Sequence, residues 1–397
     1  MKVLVINAGS SSLKFQVHDG DAGAMVVKGH YLDIGETSAD RACVRKITAR
    51  GAEEKTEMAV RDHRSAILDM LGLLESRGAA SGRCGISAVG HRIVHGGERY
   101  SAAARITADV RDYLESISFL APLHNPVGLA CVDEIAASLP DLPQYAIFDT
   151  AFHRTIPETV YLYGLPMELY TKYGIRKYGF HGTNHKYAAH RAAEIMGRDI
   201  ASLRIITCHL GNGQSVCAVK RGQSVDTSMG FTPLEGLPMG TRSGSFDPAI
   251  IFFLIDQGYE PDEIRTMVNK RSGLLGVSGI SSDFKVLEER ARGGDENAKR
   301  AVDMLANRIT CLIGAYTAEM SGADAIVFTG GIGENSAFLR KEVLGALAHT
   351  GLAVDDRANE AHDEVITAPG SAVTALVIPA DEELQIAREV IGAIEGQ

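Results

Sequence analysis

The chain has 397 residues, well above the roughly 100–200 residues of a typical domain, so we expect two domains. Hydrophobic residues make up 45% of it and charged residues 23%, which excludes a disordered or fibrous chain. Asp and Glu outnumber Lys and Arg by 50 to 40, and the resulting net charge of −10 argues against a protein that binds nucleic acids or anionic membranes.

The cysteine pattern and the apolar runs favour a cytoplasmic protein. The apolar start at 3–6 is too short for a signal peptide, and the longest apolar run, 249–255, is too short for a membrane span. Cysteines scattered without a C-x-x-C pair indicate free thiols in a reducing compartment. They are Cys43, Cys84, Cys131, Cys208, Cys217 and Cys311.

Two strand–turn–strand units lie about half the chain apart. In the first, a buried strand at 2–6 runs into the polar turn 7–12 and an alternating strand from Leu13. In the second, a strand at 203–208 is followed by the turn 209–214 and a return strand at 215–219. The repeat suggests two similar α/β halves; the alternative is a chance likeness of two glycine-containing hairpins.

Helices are predicted where capping signals precede an apolar period. Asn-Pro at 125–126 and Asp-Pro at 247–248 each open a helix. Strands alternate with helices along the chain, which is typical of α/β layers, and the domain boundary is placed near Asp149. The other predicted elements are helices at 184–196, 295–320, 336–349 and 381–394, strands at 86–89, 145–148, 325–329 and 375–378, and a β excursion within 35–60.

Several of the 42 glycines cluster in the turns 7–12, 96–97, 211–213, 240–244 and 330–334. Glycine-rich turns at strand ends expose backbone N–H groups that can hold phosphates, although any one of them could be an ordinary tight turn. The chain contains no P-loop, no GxGxxG before a helix, no protein-kinase signature and no GxSxG elbow. A nucleotide gripped by two hairpins, one in each domain, is the interpretation that remains.

Charged residues near these glycines are candidate catalytic groups. Arg92 and Arg242 could clamp a carboxylate or a phosphoryl group, or could be surface residues on turns. Asp149 ends a strand and could bind a metal or substrate, or cap a helix. His181, set between glycines, could stabilise developing charge or be structural. Glu382 and Glu383 open the last helix, where the helix dipole favours both or where one of the two could hold Mg²⁺ through water.

Ten segments, in order along the whole chain, resemble the acetate kinase family, within the acetate and sugar kinase, Hsp70 and actin superfamily. The segments are NAGSSSLKF (7–15), HRIVHGGE (91–98), APLHNP (121–126), FDTAFH (148–153), YGFHGTNHKY (178–187), HLGNGQSV (209–216), DTSMGFTPLEGLPMGTRSG (226–244), SGLLGVSGISSDF (272–284), FTGGIGENS (328–336) and IPADEEL (378–384). Among the departures from the family pattern, Asn184 stands where a serine is usual.

The resemblance implies an α/β fold of two duplicated ribonuclease H-like (actin-like) domains with an interdomain cleft. The domains are 1–149 plus 381–397, and 150–380, the second binding nucleotide and forming a homodimer. The implied reaction is ATP + acetate ⇌ ADP + acetyl phosphate with Mg²⁺, which Mn²⁺ could replace. A propionate or butyrate kinase is the alternative with the same chemistry, and an actin- or Hsp70-like ATP-driven switch is less favoured.

Site residues also follow from the resemblance, position by position. Asn7 and Glu382 are expected to hold the metal, and Asp149, His181, Arg242 and Arg92 to act in catalysis. Arg92 is also expected to bind the substrate carboxylate, beside a small methyl pocket of Val94, Leu123, Phe180 and Pro233. The expected nucleotide-binding residues are Lys14, Ser10, Ser12, His209, Leu210, Gly211, Asn212, Gly213, Asp283, Phe284, Lys285, Gly330, Gly331, Ile332, Gly333 and Glu334.

Overall fold

The computed structural model describes residues 1–20, 24–35, 43–49, 51–77 and 85–396, so Cys84 lies outside the described residues. It confirms the α/β class. The chain separates into unit 1, Met1–Phe152 with Asp381–Gln397, and unit 2, His153–Ala380. Within the described ranges, none of the helices is both long and apolar enough to cross a membrane.

The strands and helices are numbered in chain order. The strands are β1 (Lys2–Ala8), β2 (Leu13–Asp19), β3 (Ala24–Leu32), β4 (Cys43–Ala49), β5 (Ala52–Met58), β6 (Ile86–Ile93), β7 (Ala104–Arg105), β8 (Gln144–Phe148), β9 (Arg204–Leu210), β10 (Gln214–Lys220), β11 (Gln223–Thr227), β12 (Ala325–Thr329) and β13 (Thr374–Val377). The helices are α1 (His63–Ser76), α2 (Ala108–Ser116), α3 (Asn125–Ser138), α4 (Glu158–Tyr161), α5 (Met167–Tyr173), α6 (Gly182–Met196), α7 (Ala249–Asp256), α8 (Pro261–Lys270), α9 (Gly273–Ser278), α10 (Phe284–Arg292), α11 (Glu296–Met320), α12 (Gly330–Asn335), α13 (Ala337–Ala346), α14 (Asp356–Glu360) and α15 (Glu382–Glu395).

Each unit is built on one mixed sheet, and the same arrangement of five strands occurs in both sheets. Unit 1 has the strand order β5-β4-β3-β2-β1-β6-β8-β7, and unit 2 has β11-β10-β9-β12-β13. In both, three antiparallel strands are followed by two strands parallel to the first. The two hairpins therefore belong to two similar α/β halves, as the sequence repeat predicted.

Buried helix faces hold each sheet in place. In unit 2, the long helix α11 buries a stripe that includes Leu305 and Ile309 against the sheet. In unit 1, the last helix α15 packs Ile386 and Val390 on one face of β1 and β6. Gly90 permits this approach, because a Cβ there would lie 2.8 Å from Val390 and 2.9 Å from Ile386.

Residues 330–334 differ from the sequence prediction of a loop, since they begin helix α12 directly after β12. The abrupt change of direction requires glycine at position 330, which has φ +79°. A Cβ on Gly330 would also lie 2.8 Å from the backbone oxygen of Leu210. A strand therefore passes into a helix here without an intervening loop.

Candidate active site

Arg92 and Asp149 form the central ion pair of unit 1. They lie at the carboxyl ends of the neighbouring parallel strands β6 and β8. Arg92 Nε donates to Asp149 Oδ1 at 3.0 Å, Nη2 donates to Oδ2 at 2.5 Å, and Nη1 donates to Asn7 Oδ1 at 3.2 Å. Asp149 is 1% exposed. The carboxylate thus orients a guanidinium that keeps two further N–H groups for a substrate.

The acidic pair at the start of α15 lies beside this cluster. Glu383 is buried and accepts hydrogen bonds from Asn7 Nδ2 at 3.3 Å and from Gln16 Nε2 at 3.4 Å. Glu382 is half-buried, and its pKa is raised to about 7, first by desolvation and then by the charges of Asp149 and Glu383, against the effect of Arg92. Additional positive charge is therefore favourable at Glu382.

The first glycine-rich turn is closed by a residue that the sequence did not single out. Gly9 N donates to Ser12 O at 2.8 Å, and His63 Nε2 donates to the Gly9 carbonyl at 2.7 Å from the start of α1. Ser10 and Lys14 are exposed at this turn, so both can reach an anion from solvent. Only the packing of α1 on the sheet brings His63 to this place.

Arg242 in unit 2 lies on a loop fixed by backbone hydrogen bonds. Met239 N donates to Arg242 O at 3.0 Å, and Ser243 N donates to Val268 O at 2.9 Å. Gly273 closes the other side, because a Cβ there would lie 2.5 Å from Arg242 O. The side chain is half-buried, burial lowers the pKa of Arg242, and no carboxylate of the described residues pairs with it. It is a rigidly mounted cation without a counter-ion.

His181 precedes helix α6 in a left-handed conformation with φ 58°, which is unusual for a residue with a side chain. Its Nδ1 is 2.8 Å from Ser215 Oγ, and its ring centroid is 4.5 Å from that of His209. A Cβ on Gly213 would lie 3.4 Å from His181 Nε2. The Nε2 edge of the ring therefore faces the second glycine-rich turn.

A cavity of about 1140 Å³ opens beside that turn, entirely within unit 2. Seven of the predicted nucleotide-binding residues line it: Gly211, Asn212, Asp283, Phe284, Lys285, Gly331 and Ile332. Sequence reasoning missed lining residues on α10 that share one helix face with Lys285, at the spacing i, i+3, i+4 and i+7. The missed residues are Glu288, Glu289 and Arg292 there, with Gly240, Leu274, Ser282, Asn335 and Ser336 elsewhere.

Glu334 is placed outside that lining, where it has a structural contact. Its Oε1 accepts from Gly330 N at 2.8 Å and from Ala380 N at 2.9 Å. It therefore joins the start of α12 to the chain that leaves β13. The remaining predicted nucleotide residues of unit 2, which also do not line the cavity, are His209, Leu210, Gly213, Gly330 and Gly333.

The model of the acetokinase family matches residues 2–388. The chain belongs to this family. It is 49% identical to the acetate kinase of Geobacillus kaustophilus over 98% of both chains, and 46% identical to that of Acetivibrio thermocellus over the whole of both. Among solved structures, acetate kinase of Porphyromonas gingivalis matches with a TM-score of 0.91 at 42% identity over 99% of both chains. A propionate kinase from Francisella tularensis matches with the same score at 38% identity over 98% of both chains.

In this acetokinase, the four residues expected around a methyl pocket differ in exposure. Val94 and Phe180 are buried, at 7% and 2%. Pro233 is half-buried on the loop that precedes Arg242, whereas Leu123 is 70% exposed on unit 1. Val94 and Phe180 therefore have the surroundings that an apolar lining requires, and Leu123 lies on the surface.

Proposed function

We propose that this chain transfers the γ-phosphoryl group of ATP to acetate, giving ADP and acetyl phosphate, and that it catalyses the reverse reaction. The observation that carries the proposal is Arg242, a half-buried cation in the same unit as the cavity, which has no carboxylate partner among the residues that the structure describes. A half-buried cation without a counter-charge costs stability, and an anionic ligand would offset that cost. Membership of the acetokinase family supports this reaction.

The cavity is the proposed nucleotide site. Its volume of about 1140 Å³ is slightly above the range of about 300–1,000 Å³ that is usual for ligand pockets. Gly211 and Asn212 lie at the turn after β9, where backbone N–H groups can hold phosphate. Asp283 caps α10 by accepting from Lys285 N at 2.9 Å, which leaves the face of α10 toward the cavity for the nucleoside. ATP and ADP are thus the proposed substrates of unit 2.

The proposed chemistry needs no general base. Acetate is ionised at pH 7, so its oxygen can attack the γ-phosphorus in line without losing a proton. Arg92, held by Asp149, is the proposed partner of the acetate carboxylate. Arg242 and His181 are the proposed donors to the oxygens of the transferring phosphoryl group. Catalysis then consists of positioning the reactants and stabilising charge in the transition state. It requires neither a hydroxyl nucleophile nor an acid–base pair.

The residues around Glu382 fit a divalent cation. Carboxylate and amide oxygens of Glu382 and Asn7 are the donors that Mg²⁺ takes, and the raised pKa of Glu382 indicates a deficit of positive charge there. Among the described residues, no set of three or more His, Cys, Asp and Glu side chains could enclose a metal, so the ion would keep most of its waters. When bound, Mg²⁺ or Mn²⁺ would neutralise phosphate charge.

A homodimer formed through unit 2 is the proposed assembly. Helix α7 is apolar, yet none of its residues is buried, and Phe252 and Phe253 are 68% and 60% exposed. Exposed apolar patches of this kind mark protein interfaces. The described cysteines are free, which supports the proposed cytoplasmic location.

One assay tests the reaction and its substrate. The protein is incubated with Mg-ATP, hydroxylamine and formate, acetate, propionate or butyrate, and the acyl hydroxamate is measured. We expect acetate to give the highest rate and propionate a lower one, because one methylene changes binding by only ~1–3 kcal/mol. Faster turnover of propionate would favour the activity named for the Francisella tularensis relative, and no hydroxamate with any acid would refute the proposal.

A further inference from the structure

A series of four side chains runs through the interior of unit 2 to His181. Thr207 Oγ1 on β9 is 2.7 Å from His185 Nδ1 on α6. His185 Nε2 is 2.7 Å from Ser215 Oγ on β10, and Ser215 Oγ is 2.8 Å from His181 Nδ1. Thr207, His185 and Ser215 are fully buried. The three hydrogen bonds therefore form one chain, which ends on the proposed catalytic histidine.

The number of protons in this chain restricts its direction. His185 is neutral, because burial and the neighbouring His153 and His209 hold its pKa well below the ordinary value. A neutral imidazole has one donor and one acceptor nitrogen, so His185 donates at one end and accepts at the other. Among the described residues, the two histidines are the polar partners of Ser215 Oγ, so the Ser215 proton must go to the histidine that does not donate to it, and all three bonds point the same way.

The end of the chain at Thr207 selects one of the two directions. Within the described part of the chain, His185 Nδ1 is the one polar partner of the Thr207 hydroxyl. If His185 donated to Thr207, the Thr207 proton would be buried without an acceptor, which is unfavourable. Thr207 therefore donates to His185, His185 Nε2 donates to Ser215, and Ser215 donates to His181 Nδ1.

We propose that Ser215 is a positioning residue that fixes His181 in the tautomer with its proton on Nε2. This inference deepens the proposed function and rests on it. Because Nδ1 accepts from Ser215, the single proton of His181 must lie on Nε2, the edge that faces the turn at Gly213. Nε2 is then the nitrogen of His181 that can donate to a phosphoryl oxygen.

The test combines nitrogen NMR with kinetics on the full chain. In protein labelled with ¹⁵N-histidine, His181 is assigned with the His181→Gln variant, and its two ring nitrogens report the tautomer. We expect an unprotonated Nδ1 and a protonated Nε2 in the wild type, and a mixture of tautomers in Ser215→Ala. In that variant kcat falls about 10- to 100-fold, a typical loss for an outer-shell partner, with unchanged KM values. Ser215→Thr restores both.

Two further variants separate positioning from folding. Thr207→Val removes the first donor with little change of shape, and we expect it also to mix the tautomers of His181. Ser228→Ala is the matched control, since Ser228 Oγ accepts from Val216 N at 2.9 Å, next to Ser215, without touching a histidine. This control should keep wild-type kcat and tautomer.

Two outcomes would overturn the inference. One is a wild-type His181 with its proton on Nδ1; the other is a Ser215→Ala protein with wild-type kcat and spectrum. The tautomer is read without turnover, so a protein that forms no acyl hydroxamate would refute the proposed function while leaving the role of Ser215 measurable.

Discussion

Replacement of the two arginines by alanine should affect activity alike and stability unequally. Arg92→Ala leaves the Asp149 carboxylate, with 2% side-chain exposure, without its cation. Two unit charges about 4 Å apart at an effective dielectric constant near 20 interact by ~4 kcal/mol, which agrees with the ~3–5 kcal/mol lost when one partner of a buried pair is removed. In the described ranges of the chain Arg242 pairs with no carboxylate, so Arg242→Ala should cost less than ~1 kcal/mol.

Urea denaturation followed by circular dichroism measures both free energies of unfolding, and the hydroxamate assay measures activity. We expect both variants to lose at least ~10²-fold in kcat, because each removes a charge aimed at the substrate. Adding Asp149→Asn to Arg92→Ala should recover most of the stability and none of the activity. Equal stability losses in the two single variants, or no recovery in the double variant, would refute the assigned ion pairing.

Three further predictions concern other residues. His181→Ala should lower kcat by ~10²–10³-fold with little change in KM, and wild-type turnover would contradict its role. Val94→Ala should raise the preference for propionate over acetate about 5- to 10-fold in kcat/KM; an unchanged ratio would contradict a pocket at Val94. Burial lowers the pKa of His91 to about 4, so His91 should contribute ~2 kcal/mol to the loss of stability between pH 7.5 and 5, in addition to the loss from His95, whose pKa burial lowers to about 3. In urea titrations at these two pH values, His91→Gln should lose ~2 kcal/mol less than the wild type, and an equal loss would contradict this role.

Local signals in the sequence were sufficient for about half of the strands and helices. The start of helix α3 was predicted at Asn125 and Pro126, and the helix begins there. The strand at 325–329 was also predicted with its observed bounds, from a short apolar run before glycines. The short helix α12 was not predicted, because its glycine-rich sequence is also typical of a loop. Its start depends on the left-handed conformation of one residue, Gly330.

Long-range partners could not be inferred in this way. Arg92 and Asp149 are paired because β6 and β8 are parallel neighbours in which Arg92 lies opposite Ile147, and nothing local fixes that register. His185 is buried through its contacts with Thr207 and Ser215, which are distant in sequence, and no local pattern points to them. Glu334 was assigned to nucleotide binding by position, whereas its carboxylate holds Gly330 and Ala380.

The discontinuity of unit 1 has a consequence for biosynthesis. Its strands are made before residue 152, but the helix that covers Val3 and Val5 begins only at Glu382. Domains form during translation as soon as their residues have emerged from the ribosome. Unit 2 is continuous from 153 to 380 and can therefore complete its core first. Until α15 emerges, one face of the sheet of unit 1 stays uncovered and accessible to chaperones.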